Sequence, residues 1–256
     1  MILRNILFTA VLAALCVGLL NTVADHFGTG PLILQAETYE KAGEVAPAVP
    51  AHSHDAAQTT TAGAAHASGA EADDHHHDEG GWEPADGFER TAFTLLANIL
   101  TAFGWALMLA GLFSLLSLRG KAVGWREGLL FGLAGFVSVL AAPSLGLPPE
   151  VPGTPAAALA DRQVWWVATA ACTAVGLALI AFVPRGWAAV LALVLLVAPH
   201  LYGAPQPPEG AHALAPEALA HRFQAVATVT SLVFWAALGV LTALLLGYFT
   251  KETRAA

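Results

Sequence analysis

Charge is scarce in this sequence. Only 12% of its 256 residues are charged, against about 25% in an ordinary soluble domain. The shortage excludes a conventional water-soluble surface over most of the chain. Cysteine is scarcer still. Cys16 and Cys172 both sit inside apolar runs, so they read as small core residues rather than a disulfide framework or a thiolate metal site. Several motifs are missing as well. There is no G-x-x-x-x-G-K-[ST] phosphate loop, so ATP hydrolysis by that route is excluded. Neither G-x-S-x-G nor H-E-x-x-H occurs, so hydrolase chemistry has no support and no enzymatic activity is expected. Nucleic acid is not an expected partner.

Long apolar runs fill the space that charge leaves. They cover residues 5–27, 91–118, 125–145, 164–183, 187–204 and 223–249. Crossing a bilayer as a helix takes about 20 apolar residues at about 1.5 Å each. Five runs meet that length, and the fifth in order, broken by Pro199, nearly does. The expected fold is an all-α membrane protein, a bundle of about six transmembrane helices in contact with lipid. The first run competes with a signal peptide, because Thr22-Val23-Ala24 resembles a small-residue cleavage site. Its length favours a retained helix, and both readings put residue 28 on the same side. Gly128 and Gly132 form a small-xxx-small pair that lets helices pack closely.

Residues 28–90 form the longest segment outside these runs. Its opening, 28–44, mixes apolar and acidic residues, as an interfacial helix does. The stretch 45–81 is rich in Ala, Gly, Thr, His and Asp and buries too little apolar surface to offset its ordering entropy, so disorder is expected. Lys and Arg set the orientation. With the N-terminus inside, the short inner segments hold Arg4, Arg119, Lys121, Arg126, Arg185, Lys251 and Arg254. The longer outer segments hold only Lys41, Arg90, Arg162 and Arg222. This positive-inside pattern predicts an inner (plasma) membrane protein with both termini cytoplasmic and the 28–90 loop outside. Glu89, Arg90 and Arg162 read as simple membrane-boundary charges, and Glu127 as a residue of the inner interface.

All ten histidines then fall on the outer side or at an outer helix end. The densest cluster is Asp73, Asp74, His75, His76, His77, Asp78 and Glu79, preceded by His52 and His54. Neutral imidazole is a good ligand for divalent transition metals, and carboxylates add oxygen ligands and negative potential. The cluster therefore reads as a loose, unselective metal-collecting loop, with a solvated acidic loop as the plainer alternative. Two further candidates lie at helix ends. His200 follows Pro199, which is expected to break its helix and free carbonyls for an ion. Asp25 and His26 end the first run on the same side, and if the two ends meet they make a more ordered vestibule. An interfacial histidine and a charged helix terminus are the plainer readings. The middles of the spans offer Asn98, Thr101, Ser114, Ser138, Thr169, Thr173, Thr228, Thr230 and Ser231 but no carboxylate or histidine, which argues against a self-contained active transporter.

Five stretches carry a family resemblance: "PLILQAETYE" (31–40), "GWEPADGFERTAFTLLANILTAFG" (81–104), "LAAPSLGLPPEVPG" (140–153), "DRQVWWVATA" (161–170) and "APHLYGAPQP" (198–207). In combination and order the chain resembles the CbtA family of bacterial cobalt transporter subunits. The resemblance implies cobalt uptake linked to cobalamin synthesis and a small membrane partner, CbtB, with its own histidine motif. No tightly bound cofactor is expected, and cobalt or another divalent transition metal is the bound or carried ion. The expected function is a membrane subunit of a divalent-metal uptake system. The alternative is a non-transporting accessory or sensor that buffers metal at the outer surface.

Overall fold

The computed structural model describes residues 2–45 and 84–255. Seven α-helices account for most of them, and no strand occurs among the described residues. They are α1 (Ile2–Phe27), α2 (Thr29–Val45), α3 (Phe88–Leu118), α4 (Trp125–Phe136), α5 (Leu159–Phe182), α6 (Gly186–Tyr202) and α7 (Glu217–Ala255). The all-helical class expected from the apolar runs is what the structure has. Among the described residues, five helical stretches are long and apolar enough to cross a membrane: Ile2–Phe27, Phe88–Leu118, Trp125–Leu145, Leu159–Phe182 and Glu217–Lys251. The apolar helix α6 has 17 residues and reaches about 26 Å, short of a hydrocarbon layer of about 30 Å. Large apolar side chains cover the exterior, Met108, Leu130, Val190 and Leu193 among them. Such a surface suits lipid rather than water.

Local chemistry sets the helix ends. α1 stops at Gly28, whose N–H donates to the Ala24 carbonyl at 2.8 Å. A Cβ there would lie 2.7 Å from that oxygen and 3.0 Å from Val226 Cγ1, so only glycine lets the chain turn into α2. α3 ends in a left-handed glycine, Gly120 at φ +76°, with the Lys121 N–H returning to the Leu116 carbonyl at 3.0 Å. Glu127 caps its own helix, its Oε2 accepting from the Gly124 N–H at 2.8 Å. Pro143 has no N–H to give and disfavours a regular turn before it. The chain answers with a π-turn over Val137–Ala141 and a short 3-10 turn over Pro143–Leu145, the Ala142 N–H reaching back to the Val137 carbonyl at 2.9 Å. Pro199, expected to break α6, does not: the helix runs on to Tyr202. Pro199 stands near the end of the helix, so little of the ladder lies beyond the bond it forfeits. Its own carbonyl still accepts from Gly203 at 3.1 Å. Cys16 and Cys172 are both free thiols.

Successive long helices alternate in direction. Asn5 Nδ2 donates to the Phe249 carbonyl at 3.3 Å, which brings the start of α1 to the end of α7. The Phe131 and Phe182 rings lie 6.3 Å apart, and the Trp165 indole meets the Pro199 carbonyl at 3.2 Å. One end of the bundle therefore holds both ends of the described chain, and the other holds α2.

Two close seams make the core. Along α1 and α3, Ala10, Ala13 and Ala14 join Ala102 and Ala106, all buried, with Phe113 closing the row. Along α4 and α7 the backbones themselves touch. A Cβ on Gly128 would stand 2.5 Å from the Gly239 carbonyl oxygen, and Cβ atoms on Gly132 and Gly239 would meet opposing backbone more closely still. Lipid tails are as apolar as leucine, so helices in a membrane associate through such close packing rather than through apolar burial. The Gly128–Gly132 pair thus meets a third glycine, Gly239, on α7. The hairpin of α5 and α6 packs mainly on itself and reaches the rest through the π-turn.

Gly132→Leu is expected to destabilise the bundle by about 1–3 kcal/mol or more through overpacking. Gly111→Ala, where a Cβ meets nothing within 4 Å, should stay within about 0.5 kcal/mol of wild type. Thermal unfolding of both variants in detergent checks the contrast, and equal melting temperatures would refute the backbone seam.

Candidate functional site

At the α2 end, an open cavity of about 820 Å³ lies between α1, α2, α3 and α7. Thr22, Asp25, His26, Thr29, Asp86 and Arg90 give it its polar wall. Asp25 lies in the last turns of α1, where the chain is about to turn at Gly28. Its Oδ2 accepts from Asn98 Nδ2 at 2.9 Å and from Asn21 Nδ2 at 3.1 Å. Its Oδ1 accepts from Thr29 Oγ1 at 3.0 Å. Asn21 Nδ2 also donates to Asn98 Oδ1 at 3.1 Å, and Asn98 Nδ2 to Thr22 Oγ1 at 3.1 Å. The Thr22 hydroxyl donates onward to the Gly18 carbonyl at 2.8 Å. Thr22 and Thr29 are buried, at 7% and 8% exposure. One carboxylate, two amides and two hydroxyls from three helices therefore form a single connected network.

A second cluster closes the cavity from the side. Arg90, at the start of α3, holds Glu37 of α2 with both guanidinium nitrogens, at 2.5 and 3.3 Å, and Asp86 at 3.1 Å. Arg162 likewise holds Glu150 at 2.7 Å, beside a second cavity of about 660 Å³ walled by the proline-rich turn 147–152. Both arginines, read from the sequence as simple membrane-boundary charges, have carboxylate partners. Each ties α3 or α5 to a neighbouring segment. Ile33 and Phe223 line both cavities, so α2 and α7 separate them.

The sequence-derived candidates are distributed unevenly. His52, His54, Asp73, Asp74, His75, His76, His77, Asp78 and Glu79 lie outside the described residues. Asp25 and His26 line the cavity, the His26 ring edge-on to Phe27 at 4.9 Å. His200 is not among the cavity's lining residues. Its ring packs edge-on to Trp165 at 5.9 Å, within the α5–α6 hairpin. Among the described residues, no three His, Cys, Asp or Glu side chains stand where they could hold one metal ion. Asn21, Thr22, Thr29, Glu37 and Asp86 are site residues that the sequence reading did not single out. The four-residue spacing of Asn21 and Asp25 was the available signal, since such residues share a helix face.

Glu37→Gln should loosen α2 without unfolding α3. Amide exchange over residues 29–45 is expected to speed up about fivefold, the worth of a partly exposed ion pair near 1 kcal/mol. High salt should narrow the gap between variant and wild type. Unchanged exchange would show that the Arg90 clamp does not hold α2.

No curated protein and no solved structure matches the chain significantly. A family model does: the one described as "Probable cobalt transporter subunit (CbtA)" matches residues 3–247, nearly the whole chain, and the protein belongs to that family.

Proposed function

We propose that this protein is the membrane subunit of a divalent-metal uptake system with cobalt as its cargo. The observation that carries the reading is the family match across residues 3–247. In this proposal the N- and C-termini face the cytoplasm, because Lys and Arg concentrate in the segments at that end. The loop bearing His52, His54, Asp73, Asp74, His75, His76, His77, Asp78 and Glu79 then collects ions outside and raises their local concentration. The cavity beside α1, with Asp25, His26 and Asp86 in its wall, receives them at the mouth of the bundle. A small membrane partner of the CbtB kind completes the path, since one chain offers only amides and hydroxyls at mid-span. His200, held against Trp165, lies off this route.

Metal buffering without transport is the second reading. It is favoured by the lack, among the described residues, of a three-ligand metal cluster. Deleting residues 45–81 separates the two. Under the transport reading, labelled-cobalt accumulation in cells expressing the chain with its partner persists at high metal and falls at low metal, because collection and passage are different tasks. Under the buffering reading, purified chain binds cobalt and liposomes carrying it never fill. Metal capture by the histidines should fade as the outer medium is acidified through the ordinary imidazole range near pH 6.5, where protons compete for the ligand nitrogen. Cobalt accumulation that ignores both the chain and its partner would sink the proposal.

A further inference from the structure

Two buried hydroxyls stand apart from the other threonines of the bundle. Among the described residues, Thr9 Oγ1 on α1 and Thr242 Oγ1 on α7 are the side-chain atoms that lie buried without a hydrogen-bond partner. Both residues are fully buried, at 0% exposure. A threonine inside a helix has a ready partner in the carbonyl four residues back. Thr22, Thr94, Thr169, Thr173, Thr228 and Thr250 all use it, at 2.7–2.8 Å. Thr9 and Thr242 do not. An unmet buried hydroxyl costs stability, and lipid offers no water to make the loss good. Valine has nearly the same shape and would carry no such cost.

The two hydroxyls belong to one seam. At the α2 end of the bundle, Gly28 of α1 faces Val226 of α7. At the other end, Asn5 of α1 reaches the Phe249 carbonyl of α7. Thr9 follows Asn5 by four residues and Thr242 precedes Phe249 by seven, spacings that keep each on the face of that contact. At about 1.5 Å per residue they stand about 6 and about 10 Å along the seam from it. Their heights therefore differ by about 4–5 Å, within the reach of one bridging water. Ala10, Ala13, Leu238, Ala243 and Leu246 around them are apolar and buried, so no side chain there answers either hydroxyl.

We propose that this seam, between α1 and α7 at the end opposite the cavity, is the exit of the cation path: the two helices part there, and Thr9 and Thr242 hydrogen-bond the water shell of the departing ion. The inference rests on the transport reading and names its exit. Closed, the seam leaves both hydroxyls unmet. Parted, it lets both meet water, so the two residues favour the open arrangement and lower the cost of reaching it. Hydroxyl oxygens suit that task. They accept hydrogen bonds from the waters around a cation without stripping them, and they hold the ion too weakly to trap it. A carboxylate at the same place would retain it. The cavity at the far end is also bordered by α1 and α7, through Thr22, Asp25 and Phe223, so one pair of helices flanks both mouths.

The test uses the full-length chain. In detergent, Thr9→Val and Thr242→Val should each melt about 2–4 °C higher than wild type, since each removes an unmet hydroxyl at nearly constant shape. Thr173→Val, which removes a hydroxyl that is already bonded, should bring no gain. In cells expressing the chain with its partner, both seam variants should accumulate labelled cobalt about tenfold more slowly, the effect of one hydrogen bond lost to the passing ion's water shell. Thr9→Ser, which keeps the hydroxyl, should recover most of that rate. With Cys16→Ala and Cys172→Ala in the background, Thr9→Cys and Thr242→Cys should react with a charged thiol reagent in vesicles that expose the N-terminal end of the bundle. Leu12→Cys, on the outer face of α1, should not. Valine variants that melt no higher than wild type overturn the proposal, as does a gain matched by Thr173→Val. So do undiminished cobalt accumulation in the valine variants and seam thiols that the reagent never reaches. A wild type that accumulates no cobalt refutes the transport reading instead, and the melting and labelling arms still decide whether the seam opens.

Discussion

Close approach of helix backbones is the constraint on which everything else in this bundle rests. In lipid, leucine gains little by leaving one apolar neighbour for another, so the helices are held by contact distance rather than by exclusion of water. The alanine seam of α1 and α3 and the glycine seam of α4 and α7 supply that contact. Because α1 and α3 lie so near, the short side chains Asn21, Thr22, Asp25 and Asn98 can meet directly across the interface. Larger residues along the seam would push Asn98 beyond hydrogen-bonding range of α1, and the carboxylate would lose one of its three donors. The polar network is thus a product of apolar packing.

The same logic explains why α2 lies where it does. Its helix is only weakly apolar and could not stay docked by burial alone. Thr29 fastens it to Asp25 at one end and Glu37 to Arg90 farther along, while Leu32 and Ala36 settle against Val151, Leu219 and Phe223. Polar ties give direction and apolar contacts give area. Together they make α2 the partition between the two cavities, a role no single contact would secure.

Much of this was legible in the sequence, and the part that was not has a physical reason. Apolar runs announce helices because a backbone in lipid must satisfy itself internally, and each run carries a helix. The segment 28–44 is helical, as α2, and the Gly128–Gly132 spacing is matched by a real seam. What stayed hidden depends on who faces whom. Arg90 and Glu37 are 53 residues apart, and nothing local distinguishes a paired boundary arginine from a solvated one. Asn98 is visible as a polar residue in an apolar run, but its meaning waits on α1 beside it. The survival of α6 past Pro199 turns on how few residues follow, a matter of register rather than composition. The histidine-rich stretch lies outside the described residues, so its chemistry rests on sequence.

The π-turn in α4 has a consequence for the shape of the whole α2 end. A helix that closes one hydrogen bond over five residues instead of four carries a surplus residue, and everything after it is phase-shifted by about a third of a turn relative to an unbroken α-helix. Leu140, Pro143 and Ser144 enter the wall of the second cavity in that shifted phase. Removing any one residue between 137 and 141 would let the helix regain its ordinary pitch and swing the following turn around its axis. The proline-rich segment would then leave from a different compass point, and that chamber would have to be rebuilt. One surplus residue in an otherwise monotonous apolar stretch thus sets the bearing of everything up to α5.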